Sequence, residues 1–535
     1  MAFTVTGADL TSQVVVADTD MYVLQQPGSI VTTTSGMNLQ GSADVRIEGD
    51  IFARGAAIND SGSTIEGDIF ISTGVNATLW STGDTVSLQT DVALFQLMNQ
   101  GTIQSMDSGV FVKAKAAEVI NTGYIGGHGD TYTNAIWLKG FDTATSDLYV
   151  SNSGTLAALQ TNTASGVSTV FFDDADLVRF SNSGEVLSDG RSLRIYDTVR
   201  AYVDNSGLLD GRVYVHYDTD EVNFTNSGTI GFNTANESLL LYADIVRLNN
   251  SGFVGGDMDV YYSSVATVTN TGYFAGDITF DNQNDTYRGL GDGLVAGTVY
   301  GDAGADTLSG GELGDRLDGG NDNDRVLGGG GNDILAGGDG ADRVFGDNGD
   351  DVVDGGTGDD FIFGGNGDDL MTGGGGADFG RGGYGNDEMN GGIGNDTFYG
   401  GVGDDTLNGN DDADRLYGED GNDEIDGGAG RDVIYTGSGL DTIVFTNAAD
   451  SAVGAQRDVI YDFEQGADVI DVVNVVGGVL SFVGTSAFTG SANEIRVVEA
   501  AGSSRVQIDV TADGVADMEF LLSGFTGLEE SDFLL

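Results

Sequence analysis

An aspartate recurs at every ninth residue through one long stretch of the chain: Asp306, Asp315, Asp324, Asp333, Asp342, Asp351, Asp360, Asp369, Asp378, Asp387, Asp396, Asp405, Asp414, Asp423, Asp432 and Asp441. Carboxylates at a fixed spacing are chemistry for a hard cation, because carboxylate and carbonyl oxygens are the donors that calcium selects. Each aspartate stands sixth in a nine-residue unit, and sixteen such units run from Gly301 to Val444 without an insertion or deletion. Glycine dominates positions one, two and four, as in Gly337-Gly-Asp-Gly-Ala-Asp342-Arg-Val344 and Gly364-Gly-Asn-Gly-Asp-Asp369-Leu-Met371. Such residues let the backbone turn through positive φ and bring carbonyls close together. The position-one glycines Gly328, Gly337, Gly355, Gly364, Gly373, Gly382, Gly391, Gly400 and Gly427 therefore join the aspartates as candidate metal-binding residues.

Something must hold those oxygens in place. An apolar residue follows each aspartate two places later, except where Gly380 stands. That residue is expected on a short strand, pointing inward. Two units make one turn of a coil with strands on opposite sides, so aspartates eighteen residues apart stack at adjacent turns. Sixteen units make eight turns, rising roughly 4.8 Å each, or roughly 38 Å in all. One Ca²⁺ between each stacked pair allows up to about 14 ions. The stretch holds 34 acidic and 6 basic residues, a charge that about 14 divalent ions would balance.

Composition narrows the classes of function. The 535 residues carry 84 acidic and 21 basic side chains, a formal net charge of −63. That excludes unaided binding to nucleic acid or an anionic membrane, both of which need a basic footprint. There is no cysteine, so disulfides, thiolate catalysis and Cys-ligated metals are excluded. His128 and His216 are the only histidines and Pro27 the only proline. An apolar share of 39% is too high for a random coil. No apolar stretch reaches the ~18 residues of a membrane span. Met1–Thr6 lacks the basic and apolar regions of a signal peptide.

The nonads resemble the RTX (repeats-in-toxin) calcium repeat, G-G-x-G-x-D-x-U-x with U apolar. The resemblance covers 301–444 and implies a parallel β-roll with Ca²⁺ in its turns. Some units depart from the pattern. Thr436 replaces the first glycine; Asp302, Asp347, Asn410 and Glu419 the second; Leu313, Asp322 and Asp412 the fourth.

A looser repeat, apolar-x-Asn-(Ser/Thr)-Gly-x-apolar, fills residues 40–280. It reads Ile120-Asn121-Thr-Gly123-Tyr-Ile125, Val150-Ser-Asn152-Ser-Gly154-Thr-Leu156 and Phe180-Ser-Asn182-Ser-Gly184-Glu-Val186. It recurs at Asn205-Ser-Gly207, Asn226-Ser-Gly228, Asn250-Ser-Gly252 and Asn270-Thr-Gly272, with weaker copies at Asn99-Gln-Gly101 and Asp60-Ser-Gly62. Such spacing suits the rungs of a parallel β-solenoid with a tight Asn/Gly corner on each rung, where asparagines can stack into a hydrogen-bonded ladder. An antiparallel sandwich is the alternative. The stretch looks like the β-helix repeats of secreted surface proteins and polysaccharide-active enzymes.

Residues 445–535 form a third region. Arg457-Asp-Val-Ile-Tyr-Asp-Phe463-Glu-Gln-Gly466-Ala-Asp468-Val-Ile-Asp471 is similar to the segment that follows the roll in serralysin-type proteases. The same holds for Asp509-Val-Thr-Ala-Asp513-Gly-Val-Ala-Asp517-Met-Glu-Phe520 and the tail Ser531-Asp-Phe-Leu-Leu535. The resemblance implies a cap on the roll and an uncleaved type I secretion signal.

Catalytic motifs do not accompany it. The sequence has no His-Glu-x-x-His and no Gly-x-Ser-x-Gly. A β-helix followed by RTX units also resembles the mannuronan C5-epimerases, but their Asp-Pro-His is absent here. Lyases need Lys or Arg to neutralise a uronate, and the best cluster is Arg191, Arg194, Arg200 and Arg212. His128 reads as a loop residue, His216 as a strand-face residue, and Trp80 and Trp137 as rung packing.

The expected fold class is all-β. Residues 1–40 form an N-terminal cap or strand region, 41–290 a parallel β-solenoid, 301–444 an RTX parallel β-roll and 445–535 a C-terminal β cap. No catalytic residue or organic cofactor is expected; the cofactor is Ca²⁺. The expected function is that of a secreted, non-enzymatic structural protein at the surface of a Gram-negative bacterium. It would resemble S-layer or biofilm-matrix RTX proteins, leave by type I secretion and assemble with itself into a lattice or filament. Cell-surface polysaccharide or lipopolysaccharide is a second candidate partner. The alternative is a polysaccharide-binding adhesin or a polysaccharide-active β-helix enzyme of lyase or epimerase type.

Overall fold

The computed structural model describes residues 68–535 apart from 76, 82, 130–133, 142–145, 161–167, 232–236 and 492; before residue 68 it describes Ala57 and short strands between Phe3 and Asp60. Among the described residues the regular structure is β-strand, with one 3₁₀ turn at Glu530–Asp532 and no α-helix. Two compact units divide the chain, one of residues 1–286 with 293–297 and the other of 287–292 with 298–535.

The first unit is a parallel β-solenoid, as the Asn-(Ser/Thr)-Gly repeat implies. Alternation of apolar and polar residues points every second side chain inward. Parallel register then stacks equivalent residues from rung to rung. Val119, Val150, Phe180, Val203, Phe224, Leu248 and Val268 form one inward column. A second column comprises Ile125, Leu156, Val186, Leu209, Ile230, Val254, Phe274 and Val295. Ile136, Val170, Leu193, Val213, Leu239, Met258 and Ile278 make a third. All but Val295, which is 4% exposed, are at most 1% exposed, so three strand-bearing walls enclose one apolar core.

The same parallel pairing links the strands Phe3–Val5, Met21–Leu24, Ala43–Ile47 and Asp68–Thr73, so the ladder is already running within residues 1–40. Val14–Val16 pairs likewise with Met37–Leu39, and Ser29–Thr32 with Asp50–Ala53. The rest of residues 1–40, and the weak Ser61-Gly62 corner, lie outside the described residues.

The Asn corners form an unbroken ladder. The Nδ2 of each asparagine donates to the Oδ1 of the next, from Asn99 through Asn121, Asn152, Asn182, Asn205, Asn226 and Asn250 to Asn270, at 2.8–2.9 Å. Thr73 Oγ1 donates to Asn99 at the head of the column. The weak copy at Asn99 is thus a full member. The following glycine is required by space: a Cβ on Gly154, Gly184, Gly207, Gly228, Gly252 or Gly272 would strike the carbonyl oxygen of the glycine one rung before.

The second unit begins as a two-sheet roll. The strands Arg316–Asn321, Ile334–Asp339, Val352–Thr357, Leu370–Gly375, Glu388–Ile393 and Thr406–Asp411 pair in parallel eighteen residues apart. A second sheet is built the same way from Arg325–Gly330, Arg343–Asn348, Phe361–Asn366, Phe379–Tyr384, Thr397–Val402 and Arg415–Asp420. The eighth residues of the units, such as Val326, Val344, Ile362, Leu335, Val353 and Met371, are buried between the sheets. The missing side chain at Gly380 is replaced by a neighbour, since a Cβ there would lie 2.7 Å from the Phe398 ring.

Val459–Tyr461 and Val469–Asp471 add one more parallel strand to each sheet. The antiparallel strands Glu494–Ala500, Ser503–Asp509 and Met518–Leu522 follow. Met518–Leu522 also pairs with Val459–Tyr461, and Phe533–Leu534 with Val469–Asp471, which closes the open sheet edges.

The asparagine ladder makes a direct prediction. Asn182→Ala leaves the Asn152 amide without its side-chain acceptor and Asn205 Oδ1 without its donor, both buried. It should cost about 1–3 kcal/mol, read as a lower urea midpoint for the solenoid transition with the calcium response of the roll unchanged.

Candidate metal centre

The sixteen aspartates stack in two columns, one at each turn edge of the roll, and all are buried to within 3%. From Asp324 to Asp441, each Oδ1 accepts the backbone N–H of the aspartate eighteen residues earlier, at 2.7–2.9 Å. The second oxygen of each of these fourteen carboxylates is buried with no hydrogen-bond partner from the protein. A bare carboxylate oxygen in the interior is costly unless a cation or proton meets it.

The position-one glycines shape the space beside those oxygens. A Cβ on Gly355 would stand 2.8 Å from Asp360 Oδ2 and 2.6 Å from the Gly373 carbonyl oxygen of the next turn. At Gly373 the same two contacts are 2.6 Å to Asp378 Oδ2 and 2.7 Å to the Gly391 carbonyl. Gly328, Gly337, Gly364, Gly382, Gly391, Gly400 and Gly427 likewise face the Oδ2 of their own unit's aspartate. Carboxylate and carbonyl oxygens from two stacked turns thus converge beside these glycines, Gly364 and Gly427 excepted, where only the aspartate of the same unit lies nearest. This is an all-oxygen donor set suited to calcium.

The reason for glycine differs by position. Positions two and four take positive φ in most units, for example 104° at Gly356 and 130° at Gly358, though not at Gly311 or Gly430. Position one does not: its glycines are needed for room beside the carboxylate, not for turning the chain. Where another residue fills position two or four, it usually adopts the same left-handed backbone. Asp302, Asp347, Asn410 and Glu419 have φ of 71–75°, Asp322 76° and Asp412 81°. Five of these six are Asp or Asn, the non-glycine residues that tolerate this region best. The departures therefore preserve the turn, except at Leu313, whose φ is not positive.

Burial pushes the carboxyls up from 3.8. Asp324, Asp333, Asp369, Asp378, Asp405, Asp414 and Asp441 rise to about 7. Asp432 is pushed up to about 9, by burial first and then by the charge of Asp458.

Asp458 and Asp468 are ladder members that nonad counting misses. Asp458 Oδ1 accepts from the Asp432 N–H at 2.8 Å, and Asp468 Oδ1 from the Asp441 N–H at 3.2 Å. The available signal was the echo of Asp432-Val-Ile-Tyr435 in Asp458-Val-Ile-Tyr461 and Asp468-Val-Ile-Asp471. The two ends differ. Asp458 Oδ2 is orphaned like those of the roll, whereas Asp468 Oδ2 accepts from Glu464 N–H and Thr436 Oγ1.

In the solenoid, Arg191 and Arg212 face one another across adjacent strands. Arg194 lies over the Phe171 and Tyr196 rings, and Arg191 over Tyr214. Burial, with Arg194 and Arg212 nearby, lowers the Arg191 pKa. Arg200 does not join them: it sits on another wall, paired in register with Glu221.

Trp137 lies between Phe111, which meets it edge-on at 4.7 Å, and Phe171, which stacks on it at 5.4 Å. Trp80 is half-buried on the strand Thr78–Ser81. His216 lies on a strand face as expected, stacked on Tyr196 and 3.0 Å from Asp218. His128 corrects the loop reading, since it belongs to the strand Tyr124–Gly129 and pairs with Leu159. Asp173, Asp174, Asp197, His216 and Asp218 gather on this wall, and Lys139 pairs with Asp173 and Asp174. Nothing in their spacing marked the group, because rungs of unequal length bring it together.

Residues 298–317, 309–344, 345–380, 372–407, 381–415 and 408–443 match the RTX calcium-binding nonapeptide repeat. A solved subunit of the mannuronan C5-epimerase of Azotobacter vinelandii is similar at 26% identity over 31% of this chain and 78% of that one, with a TM-score of 0.18. No curated protein matches the sequence. The aspartate columns thus belong to calcium-binding RTX repeats.

Two outcomes follow. A carboxyl that titrates near 7 when folded and near 3.8 when unfolded stabilises the metal-free roll fully below pH 3.8, and that contribution is lost progressively as pH rises from 3.8 to about 7. In chelator, circular dichroism should therefore show roll strand content falling between about pH 4 and 7, and excess Ca²⁺ above about pH 7 should restore it. Asp458→Ala should remove a calcium-binding oxygen at the C-terminal end. Isothermal titration calorimetry would then show about one site fewer than the parent, whereas Asp468→Ala should lower roll stability more than ion count.

Proposed function

We propose that this is a secreted, non-enzymatic structural protein of the bacterial surface that folds on meeting extracellular calcium and then associates with itself. The observation that carries the reading is the run of fourteen buried carboxylate oxygens with no partner in the protein. At submicromolar calcium these columns repel, and glycine-rich turns lose much entropy on ordering. An unfolded chain is suited to export through a narrow channel. At about millimolar calcium, binding supplies the folding free energy. The aspartates from Asp306 to Asp441, with the position-one carbonyls of the adjacent turn, would hold the ions. Bound there, calcium neutralises stacked carboxylates and ties each turn to the next.

The serralysin-like tail supports type I secretion as the route. Absence of the His-Glu-x-x-His, Gly-x-Ser-x-Gly and Asp-Pro-His motifs supports a structural role. A second reading, binding of an acidic polysaccharide, is favoured by one feature: the solenoid wall that sets Arg191, Arg194 and Arg212 among the rings of Phe171, Tyr196 and Tyr214.

Electron microscopy and light scattering of the full chain, in millimolar calcium and in chelator, test the proposal. Sheets or filaments that form with calcium and dissolve in chelator are expected. Dispersed particles that bind alginate or pectate saturably would favour the second reading, and turnover of either polymer would overturn the non-enzymatic one.

A further inference from the structure

The two outer faces of the roll carry different residues at the same heights. Positions seven and nine of each unit point outward, flanking the buried eighth. On one face they read, turn by turn, Arg325 and Leu327, Arg343 and Phe345, Phe361 and Phe363, Phe379 and Arg381, Thr397 and Tyr399, Arg415 and Tyr417. The opposite face, at the same turns, reads Ile334 and Ala336, Val352 and Asp354, Leu370 and Thr372, Glu388 and Asn390, Thr406 and Asn408, Glu424 and Asp426. Arg343, Arg381 and Arg415 thus share their turns with Asp354, Glu388 and the Glu424–Asp426 pair. Phe361 and Phe363 share theirs with Leu370.

Those residues are available. Phe361, Leu370, Ile334 and Val352 are 41–45% exposed, high for apolar side chains. Arg343, Arg381, Arg415, Asp354, Glu388 and Glu424 are exposed. Arg381 also reaches Glu419 of its own chain at 3.2 Å, an exposed pair of little energetic weight.

We infer that a second copy of this chain docks sideways on the roll, parallel and without axial shift, the arginine–aromatic face of one copy against the acidic–aliphatic face of the next. Register is what selects this arrangement. Displaced by one turn toward the C-terminus, Arg343, Arg381 and Arg415 meet Leu370 and Thr372, Thr406 and Asn408, and Thr442 and Val444, so all three charge pairs are lost and only one, Arg325 with Asp354, is gained. Displaced one turn the other way, the same three arginines meet Ile334 and Ala336, Leu370 and Thr372, and Thr406 and Asn408. An antiparallel meeting centred on Arg381 and Glu388 keeps the charges but sets Phe361 and Phe363 against Thr406 and Asn408. The two surfaces are different patches of one chain, so the contact is heterologous and repeats in an open row. Each strip is narrow, so one contact is weak and association depends on concentration. The inference rests on the self-association proposed above and names its surface.

The test uses the full chain in millimolar calcium, with circular dichroism as the folding control and sedimentation velocity over a range of concentrations. The triple variant Arg343→Glu, Arg381→Glu, Arg415→Glu should fold with calcium yet associate about tenfold or more weakly. Adding Asp354→Arg, Glu388→Arg and Glu424→Arg to that chain should restore association. The chain has no cysteine, so Thr397→Cys with Thr406→Cys reports register, since one shared turn places these residues on opposite faces. Intermolecular disulfide-linked ladders are expected, and none should form from an antiparallel row. Parent chains that fold but never associate would overturn self-association and this surface together. Equal association of parent and triple variant would overturn the surface alone.

Discussion

A column of like charges inside a protein is the constraint on which the roll depends. Stacking identical turns places identical carboxylates above one another. Each Oδ1 is satisfied by a backbone N–H of the adjacent turn, and each Oδ2 from Asp324 to Asp441 is left without a partner. No rearrangement of the strands relieves this, because the same parallel register that buries the eighth residues creates the column. The acidic excess, the paired glycines and the roll's poor prospects without a divalent cation are consequences of that single geometry.

The solenoid uses the same device with a different side chain and reaches the opposite result. An amide carries both donor and acceptor, so Asn99 to Asn270 close a ladder on themselves. A carboxylate only accepts, so its column is incomplete by one oxygen per turn. One atom of difference per rung separates a self-sufficient column from one that needs an ion. Folding of the second unit can therefore be conditional on its surroundings while the first is held by its own hydrogen bonds.

Outward residues follow a looser rule than inward ones. The eighth position must be apolar or be replaced by a neighbour, as Phe398 does at Gly380. Positions seven and nine are free of that demand. Their distribution of Arg and aromatic residues on one face, with Asp, Glu and aliphatic residues on the other, is thus not dictated by the roll's own packing. The Tyr399, Tyr417, Tyr435 and Tyr461 rings stack within 4.3–4.8 Å of their neighbours, so part of this face also braces the sheet beneath it.

What was legible in the sequence was whatever repeats strictly. A period of nine maps directly onto a column, so the roll, its sixteen aspartates and its inward residues follow from spacing alone. The Asn corners were legible by a different signal, the recurring Asn-(Ser/Thr)-Gly triplet, since rung length varies between them. Folding alone decided the rest. It showed that position-one glycines provide room beside a carboxylate, while positions two and four turn the chain. It carried the aspartate columns on to Asp458 and Asp468, which lie 26 and 27 residues beyond their partners and so outside the period. It gathered Arg191, Arg194 and Arg212 on one wall and left Arg200 on another, and it assembled the Asp173–Asp218 group. The physical reason is common to all of these. Where spacing is constant, sequence distance and height along the axis are the same variable; where an irregular connection intervenes, only the path of the folded chain relates them.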